Sequence, residues 1–199
     1  FINYINTSSK PIRVRLVQTS ASGFMRHDFP QTIAAGAKGR VTFSYSVPRS
    51  SGYFGELRDV FEVQVEGCES DVRISTNGYA IEQFEIPNNE LAPKAEFERQ
   101  LLKFEDVHKG DNPATISVRL TNDGMEPLII RAIQPSHAAI TTSLDAGTTV
   151  APSESINVRV TIDPAKLDYG RAIEHIVLIT NDPKRPMRQL RVTGVVRYN

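Results

Sequence analysis

A fifteen-residue stretch of this chain occurs twice. Asn6-Thr-Ser-Ser-Lys-Pro11-Ile-Arg-Val-Arg15-Leu-Val-Gln18-Thr-Ser20 returns as Asn122-Asp-Gly-Met-Glu-Pro127-Leu-Ile-Ile-Arg131-Ala-Ile-Gln134-Pro-Ser136, with no gap at an offset of 122 − 6 = 116. Asn, Pro, Arg, Gln and Ser recur identically, while Ile12/Leu128, Val14/Ile130 and Val17/Ile133 stay apolar. A long internal period constrains architecture before any local propensity does. It implies two copies of one fold. It says nothing about activity.

The match continues downstream. Thr32-Ile33-Ala34 matches Thr149-Val150-Ala151, Val41, Phe43 and Tyr45 match Val158, Val160 and Ile162, and Phe54-Gly55 matches Tyr169-Gly170. Gly78 against Gly194 restores the starting offset, as insertions and deletions confined to loops would. Ile12, Val14 and Leu16 alternate with Arg13 and Arg15, and Phe61, Val63 and Val65 with Glu62, Gln64 and Glu66. The period of two predicts half-buried strands. Short strands separated by turn signals, with no βαβ alternation, predict an all-β fold of two tandem Ig-like β-sandwiches. The expected boundaries are 1–82 for the first sandwich, 83–99 for a connector broken by Pro87 and Pro93, and 100–199 for the second. Phe84 and Ile86 are expected to prolong the strand Val72 to Ala80. Gln100 to Val107 is expected to open the second sandwich as a strand. Its counterpart would fall before Phe1, so the first sandwich is expected to lack an opening strand and to expose an edge.

Charge excludes one class of partner. The chain carries 23 basic and 23 acidic residues. A nucleic-acid binder needs a basic excess to neutralise phosphates, so none is expected. No apolar run reaches the ~20 residues of a transmembrane helix. The single cysteine, Cys68, cannot form a disulfide within the chain.

No motif carries catalysis. The histidines His27, His108, His137 and His175 form no HxH or HExxH spacing. His27-Asp28 reads as an ordinary loop pair and His175 as a packing residue at a strand edge. Ser50-Ser51-Gly52 reads as a hairpin turn, not a nucleophile elbow. Cys68 sits among Glu66, Glu69 and Asp71, which disfavour a thiolate. Asp106, Asp111, Asp123, Asp163 and Asp182 follow no calcium-loop spacing and read as turn acids. Lys184, Arg185, Arg188, Arg191 and Arg197 form the most basic stretch, with Arg191 and Arg197 on one outward face. No catalytic, cofactor or metal site is expected.

The order Phe104…Val107…Gly110…Val118-x-Leu120-x-Asn122-x-Gly124-x-x-Pro127-Leu128-x-Ile130, then Val158…Gly170…Ile176-x-Leu178-x-Thr180-Asn181…Leu190-x-Val192-x-Gly194, resembles the Ig-like repeat of the ASPM–SPD-2–Hydin type. It is most similar to a bacterial family of unknown function, common among Bacteroidetes envelope proteins, that carries such repeats in tandem. Major sperm protein and PapD-like domains resemble it more distantly. Many members carry a Cys-x-Cys pair where this chain has Ser136-His137-Ala138-Ala139 and Ser20-Ala21-Ser22, which removes any metal or redox role for that pair. The resemblance implies a non-enzymatic binding or scaffolding module, periplasmic or extracellular; the exposed edge of the first sandwich separately implies strand addition, by part of the Glu82–Arg99 connector or by a protein or peptide partner. The competing expectation is an accessory or sugar-binding domain of a hydrolase, with its site at the domain junction.

Overall fold

The computed structural model describes residues 1–69, 72–85 and 90–198, and divides the chain into two compact units, Phe1–Ala80 and Ile81–Asn199. In the first unit the strands are β1 (Ile2–Ile5), β2 (Ile12–Ser20), β3 (Met25–His27), β4 (Thr32–Ile33), β5 (Lys38–Val41), β6 (Phe43–Tyr45), β7 (Gly55–Val65) and β8 (Arg73–Ala80). One layer is the sheet β4-β2-β7-β8; the other is made of the pairs β1-β5 and β3-β6. That second layer breaks at Thr42. Asp28 fills the break, its Oδ1 accepting from Thr42 N at 2.6 Å. The inward positions of the alternating runs, Val14, Ile33, Phe61, Val63 and Ile74, make the buried core, with Tyr4, Leu16, Phe29 and Phe43 half-exposed around it.

The second unit has β9 (Ala95–Phe97), β10 (Leu101–Lys103), β11 (Val107–His108), β12 (Ala114–Asn122), β13 (Leu128–Pro135), β14 (Ile140–Thr142), β15 (Thr149–Val150), β16 (Ser155–Ile162), β17 (Gly170–Thr180) and β18 (Met187–Arg197). Its layers are β14-β16-β12-β9 and β10-β18-β17-β13-β15, with β11 also on β18. A far larger core lies between them, including Leu102, Phe104, Leu120, Leu128, Ile130, Ile140, Ile162, Ile176 and Leu178. The only helical segments among the described residues are 3-10 turns, Arg49–Ser51 and Pro164–Lys166.

The duplication holds in register at matched pairs of three ladders, although β13 bulges between Ile130 and Ala132 and β2 between Gln18 and Ser20. Val14 faces Val65 as Ile130 faces Thr180; Ile2 faces Val41 as Val118 faces Val158; Leu57 faces Gly78 as Ala172 faces Gly194. A slip of one residue would turn every inward side chain to solvent, so matched registers follow from matched apolar alternation. Gly55 and Gly170, which open β7 and β17, both have positive φ, 127° and 103°. Side-chain-bearing residues are strained there, which accounts for the glycine in both copies.

The repeated asparagine brackets each copy. Asn6 is 3% exposed and donates through Nδ2 to the carbonyls of Lys10, Ile33 and Ala34 at 2.9–3.0 Å, while Oδ1 accepts from Ser8 N. Asn122 is fully buried; it donates to Glu126 O and Val150 O and accepts from Gly124 N and Lys94 N. Each side chain ties the turn that precedes one strand to the short edge strand beside it. Burying an amide among main-chain groups is stable only because its hydrogen-bonding capacity is met.

Several local expectations are corrected. Strand β8 ends at Ala80, and Phe84 follows it outside any strand; Ile86 and Pro87 lie outside the described residues. The opening strand of the second unit is two short pieces, β10 and β11. Ala95–Phe97, within the span read as connector, pairs with β12. Ser50–Gly52 is not a hairpin, since the 3-10 turn there links β6 and β7 in different layers. His175 lies on β17, flanked by β13 and β18, and so is on an interior strand. Gly78 and Gly194, by contrast, occupy the same close-packed place in the two copies, in unbroken pairing; an added Cβ would stand 3.6 Å from the Tyr45 ring and 3.4 Å from Phe104 Cβ.

Candidate functional site

Two edges distinguish the copies. In the second unit β18 pairs on its outer side with β10 and β11, both parallel: Leu102 faces Val192 and Val107 faces Val196. Arg191 N donates to Gln100 O and Phe104 N to Thr193 O, both at 2.8 Å. Leu102, Phe104 and Val107 point inward and are buried. In the first unit β8 pairs with β7 alone among the described residues. Val72 O accepts from Val63 N, so the even-numbered residues turn their main chain toward β7. Alternation then directs the N–H and C=O groups of Arg73, Ser75, Asn77 and Tyr79 to the open edge. These four residues are exposed.

Behind that edge the interior is closed from the other layer. Tyr45 on β6 occupies the position of Ile162 in the second unit, and its ring lies over Gly78 where Phe104 lies over Gly194. Its hydroxyl reaches Thr76 O at 3.0 Å and Thr76 Oγ1 at 2.9 Å. Burial raises the Tyr45 phenol above its ordinary value, and the Asp59 carboxylate raises it further against the opposing hydrogen bond from Thr76. Asp59 is fully buried on β7; its Oδ1 accepts from Gln18 Nε2 at 2.6 Å and Ser22 N at 3.0 Å, and its Oδ2 has no hydrogen-bond partner among the described residues.

A groove of about 660 Å³ lies on the first unit beside β2, walled by Arg13, Arg15, Leu16, His27, Phe29 and Val65 among others. Strand β4 pairs with β2 at Ile12 and Arg13, and Gln31 O accepts from Val14 N; past Val14 no strand pairs with that side of β2 among the described residues. His27 packs edge-on against Phe61 with ring centroids 5.6 Å apart. Its Nδ1 accepts from Phe29 N, while the Asp28 carboxylate is used by Thr42, so the adjacent pair is not coupled.

The structure disperses the other nominated residues. Asp106 bonds Arg197, Asp111 caps His108 N, and Asp163 accepts from Ala165 N. Asp123 lies 3.7 Å from Lys94 Nζ. Among the described residues no group of His, Cys, Asp and Glu could hold a metal ion. Cys68 is free and exposed. His137 turns its Nδ1 to Ala139 N.

The basic stretch does not converge either. Arg188 is 6% exposed and donates through Nη2 to Ala95 O and, at 2.7 Å, to Glu96 Oε2. Asp182, also buried, accepts from Ala95 N at 3.1 Å. These two charged residues clamp β9 in place and are structural. Burial alone would raise the Glu96 carboxyl, but the hydrogen bond and charge of Arg188, with Lys94 and Arg185, outweigh it and hold the group below its ordinary value. Gly124 completes the clamp: an added Cβ would collide with the main chain of Ala92 and Pro93, the latter's Cα at 2.6 Å. Arg188 shares the inward parity of Leu190 and Val192, a signal that could have separated it from Arg191 and Arg197.

Two layered all-β units with matched Ig-like registers define a tandem Ig-like protein. The chain belongs to the HYDIN/CFA65/VesB-like Ig-like domain family, which it matches over residues 93–195. It is similar over both units to a protein of unknown function from Porphyromonas gingivalis W83, a member of the Bacteroidetes, with 20% identity, 96% of this chain and 87% of that one covered, and a TM-score of 0.68. A weaker likeness is to the ASH/PapD-like domain of human CEP192, at 13% identity over 60% of this chain and 97% of that one, TM-score 0.47. No curated protein matches the sequence. No helix among the described residues is long and apolar enough to cross a membrane.

Proposed function

We propose that this chain is a non-enzymatic binding or scaffolding module of a bacterial cell envelope, and that its first unit takes an extended segment of a protein partner along β8. In this reading the units are 1–82 and 100–199, joined by 83–99, and among the described residues nothing pairs with the outer side of β8, where β10 and β11 pair with β18 in the second unit. The observation that carries it is the contrast between β18, which pairs with β10 and β11, and β8, which has the same register on β7 and an open outer edge. Unpaired strand edges template the addition of another strand. The residues of the span 83–99 that form a strand, Ala95–Phe97, are committed to β12, so they do not supply the segment. Because Tyr45 already covers Gly78, the incoming strand should carry a small residue where Phe104 stands in the second unit.

The test uses a synthetic peptide reproducing Gln100–Val107 and a version with Phe104→Ala. Hydrogen exchange should show new protection at the amides of Ser75, Asn77 and Tyr79, stronger with the alanine peptide. Absence of protection there at millimolar peptide would sink the reading. Reproducible glycan hydrolysis that disappeared on substitution of His27 or His137 would favour an accessory hydrolase role instead.

A further inference from the structure

The repeat places arginine at 15 and at 131, immediately after the matched residues Val14 and Ile130. In the second unit Arg131 is half-buried on β13 and closed by a carboxylate. Its Nε donates to Glu82 Oε2 at 2.8 Å and its Nη2 to Glu82 Oε1 at 3.1 Å. Two parallel bonds make this a bidentate pair, which selects a planar carboxylate by shape as well as charge. Glu82 is presented by Ile81-Glu82-Gln83-Phe84, a stretch outside any strand with apolar residues on either side of the acid.

Arg15 has the same place in the repeat but a different setting: it lies opposite Gln64 in unbroken pairing, whereas Arg131 sits at a bulge between Ile130 and Ala132. Arg15 is exposed, and no carboxylate lies within ion-pair distance of it among the described residues. It borders the groove beside β2, whose apolar wall is Leu16, Phe29 and Val65. Arg13 and His27 add basic character, while the one acid of the lining, Glu66, stands 3.7 Å from Arg13. A guanidinium fork, an apolar wall and an open strand edge therefore meet at one concavity.

We infer that this groove binds an extended peptide segment of a partner protein, one that presents a side-chain carboxylate to Arg15 between apolar residues, as Glu82 does to Arg131. The site is separate from the β8 edge and does not depend on strand addition there. Its occupant is acidic because the second copy shows a carboxylate on the repeat-matched arginine and because two arginines in the groove face one acid, and extended because it follows the edge of β2.

The probe is a capped peptide reproducing Ala80–Glu85, titrated into the intact chain and followed by amide and arginine Nε–H resonances. Shifts centred on Arg15, Leu16, His27 and Gln64 are expected. Replacing Glu82 by Gln in the peptide, or Arg15 by Ala in the chain, should weaken binding about tenfold, the cost of one charge-assisted bidentate pair. Arg15→Lys, which keeps the charge and loses the fork, should fall between, and Arg131→Ala should leave the peptide affinity unchanged. Shifts that survive Arg15→Ala, or no shifts at millimolar peptide, would overturn the assignment. So would shifts confined to Ser75 and Asn77, which would support the β8 edge alone. Self-association of the free chain that vanishes in both Arg15→Ala and Glu82→Gln would overturn it in favour of a second copy as the occupant.

Discussion

Replacing Asn122 by Ala should be among the most damaging single changes to the second unit. The side chain is fully buried and makes bonds to Glu126 O, Val150 O, Gly124 N and Lys94 N between 2.8 and 3.2 Å. Alanine removes all four and leaves four main-chain groups to find other partners. A net hydrogen bond is worth roughly 0.5–1.5 kcal/mol, and an orphaned buried group costs about 1–3 kcal/mol. Water entering the turn at Gly124 would recover part of this, so the expected loss is about 3–5 kcal/mol. Asn122→Asp is the sharper probe: it keeps the shape but sets a carboxylate oxygen against two carbonyls, and should cost at least as much. Asn6→Ala should cost less, about 2–4 kcal/mol, since its turn is more open to water. Native-state hydrogen exchange read separately on β7 and β17 assigns each loss to its unit, which a single denaturation curve of a two-unit chain would blur. A loss under about 1 kcal/mol for Asn122→Ala would refute the view that this amide brackets the fold.

Other outcomes follow from the same contacts. Glu96, held below its ordinary value of 4.5, contributes stability that is present above pH 4.5 and is lost as pH falls through the lower folded value; Glu96→Gln should remove that acid limb from a pH titration of melting temperature. Tyr45, raised above 10.0, contributes stability that is full below pH 10.0 and declines as pH rises toward the folded value; Tyr45→Phe should abolish that decline in an alkaline denaturation series. Gly194→Val should destabilise the second unit by about 1–3 kcal/mol in urea, because the γ-methyls, unlike a Cβ, have no room against Phe104. The first unit, with its smaller buried core, should unfold at the lower temperature in calorimetry of the intact chain.

The layers and registers were legible because apolar alternation and turn chemistry repeat twice, so each copy checks the other. Val14 and Ile130 find equivalent partners because the same parity is buried in both. Short elements were less legible. Ala95–Phe97 is too brief for a period of two to stand out, and it is held by Asp182 and Arg188, residues about ninety positions away in the chain. His175 was misread because strand order, which makes β17 interior, is not written in local pattern. The identity of Asn6 with Asn122 was visible, but its bracketing role depends on Ile33 and Val150, supplied from across the fold. Likewise Arg15 and Arg131 are the same letter at the same place in the repeat; the bulge at Arg131 and the carboxylate of Glu82, neither of them local pattern, separate one setting from the other.

The fastening of Lys94 to Glu96 has a mechanical consequence. A pull arriving along the chain from the first unit meets the Glu82–Arg131 pair on β13 and then β9. Antiparallel pairing with β12, the Asp182 and Arg188 bonds to Ala95, and the wedge of Ala92 and Pro93 against Gly124 meet that load together. Contacts of these different kinds must fail together for β9 to leave β12, whereas a strand held by ladder bonds alone would give them up in turn. The stretch from Ala92 to Phe97 therefore behaves as an anchor bolt, fixed to the second sandwich by unlike contacts that must all be undone before it comes away.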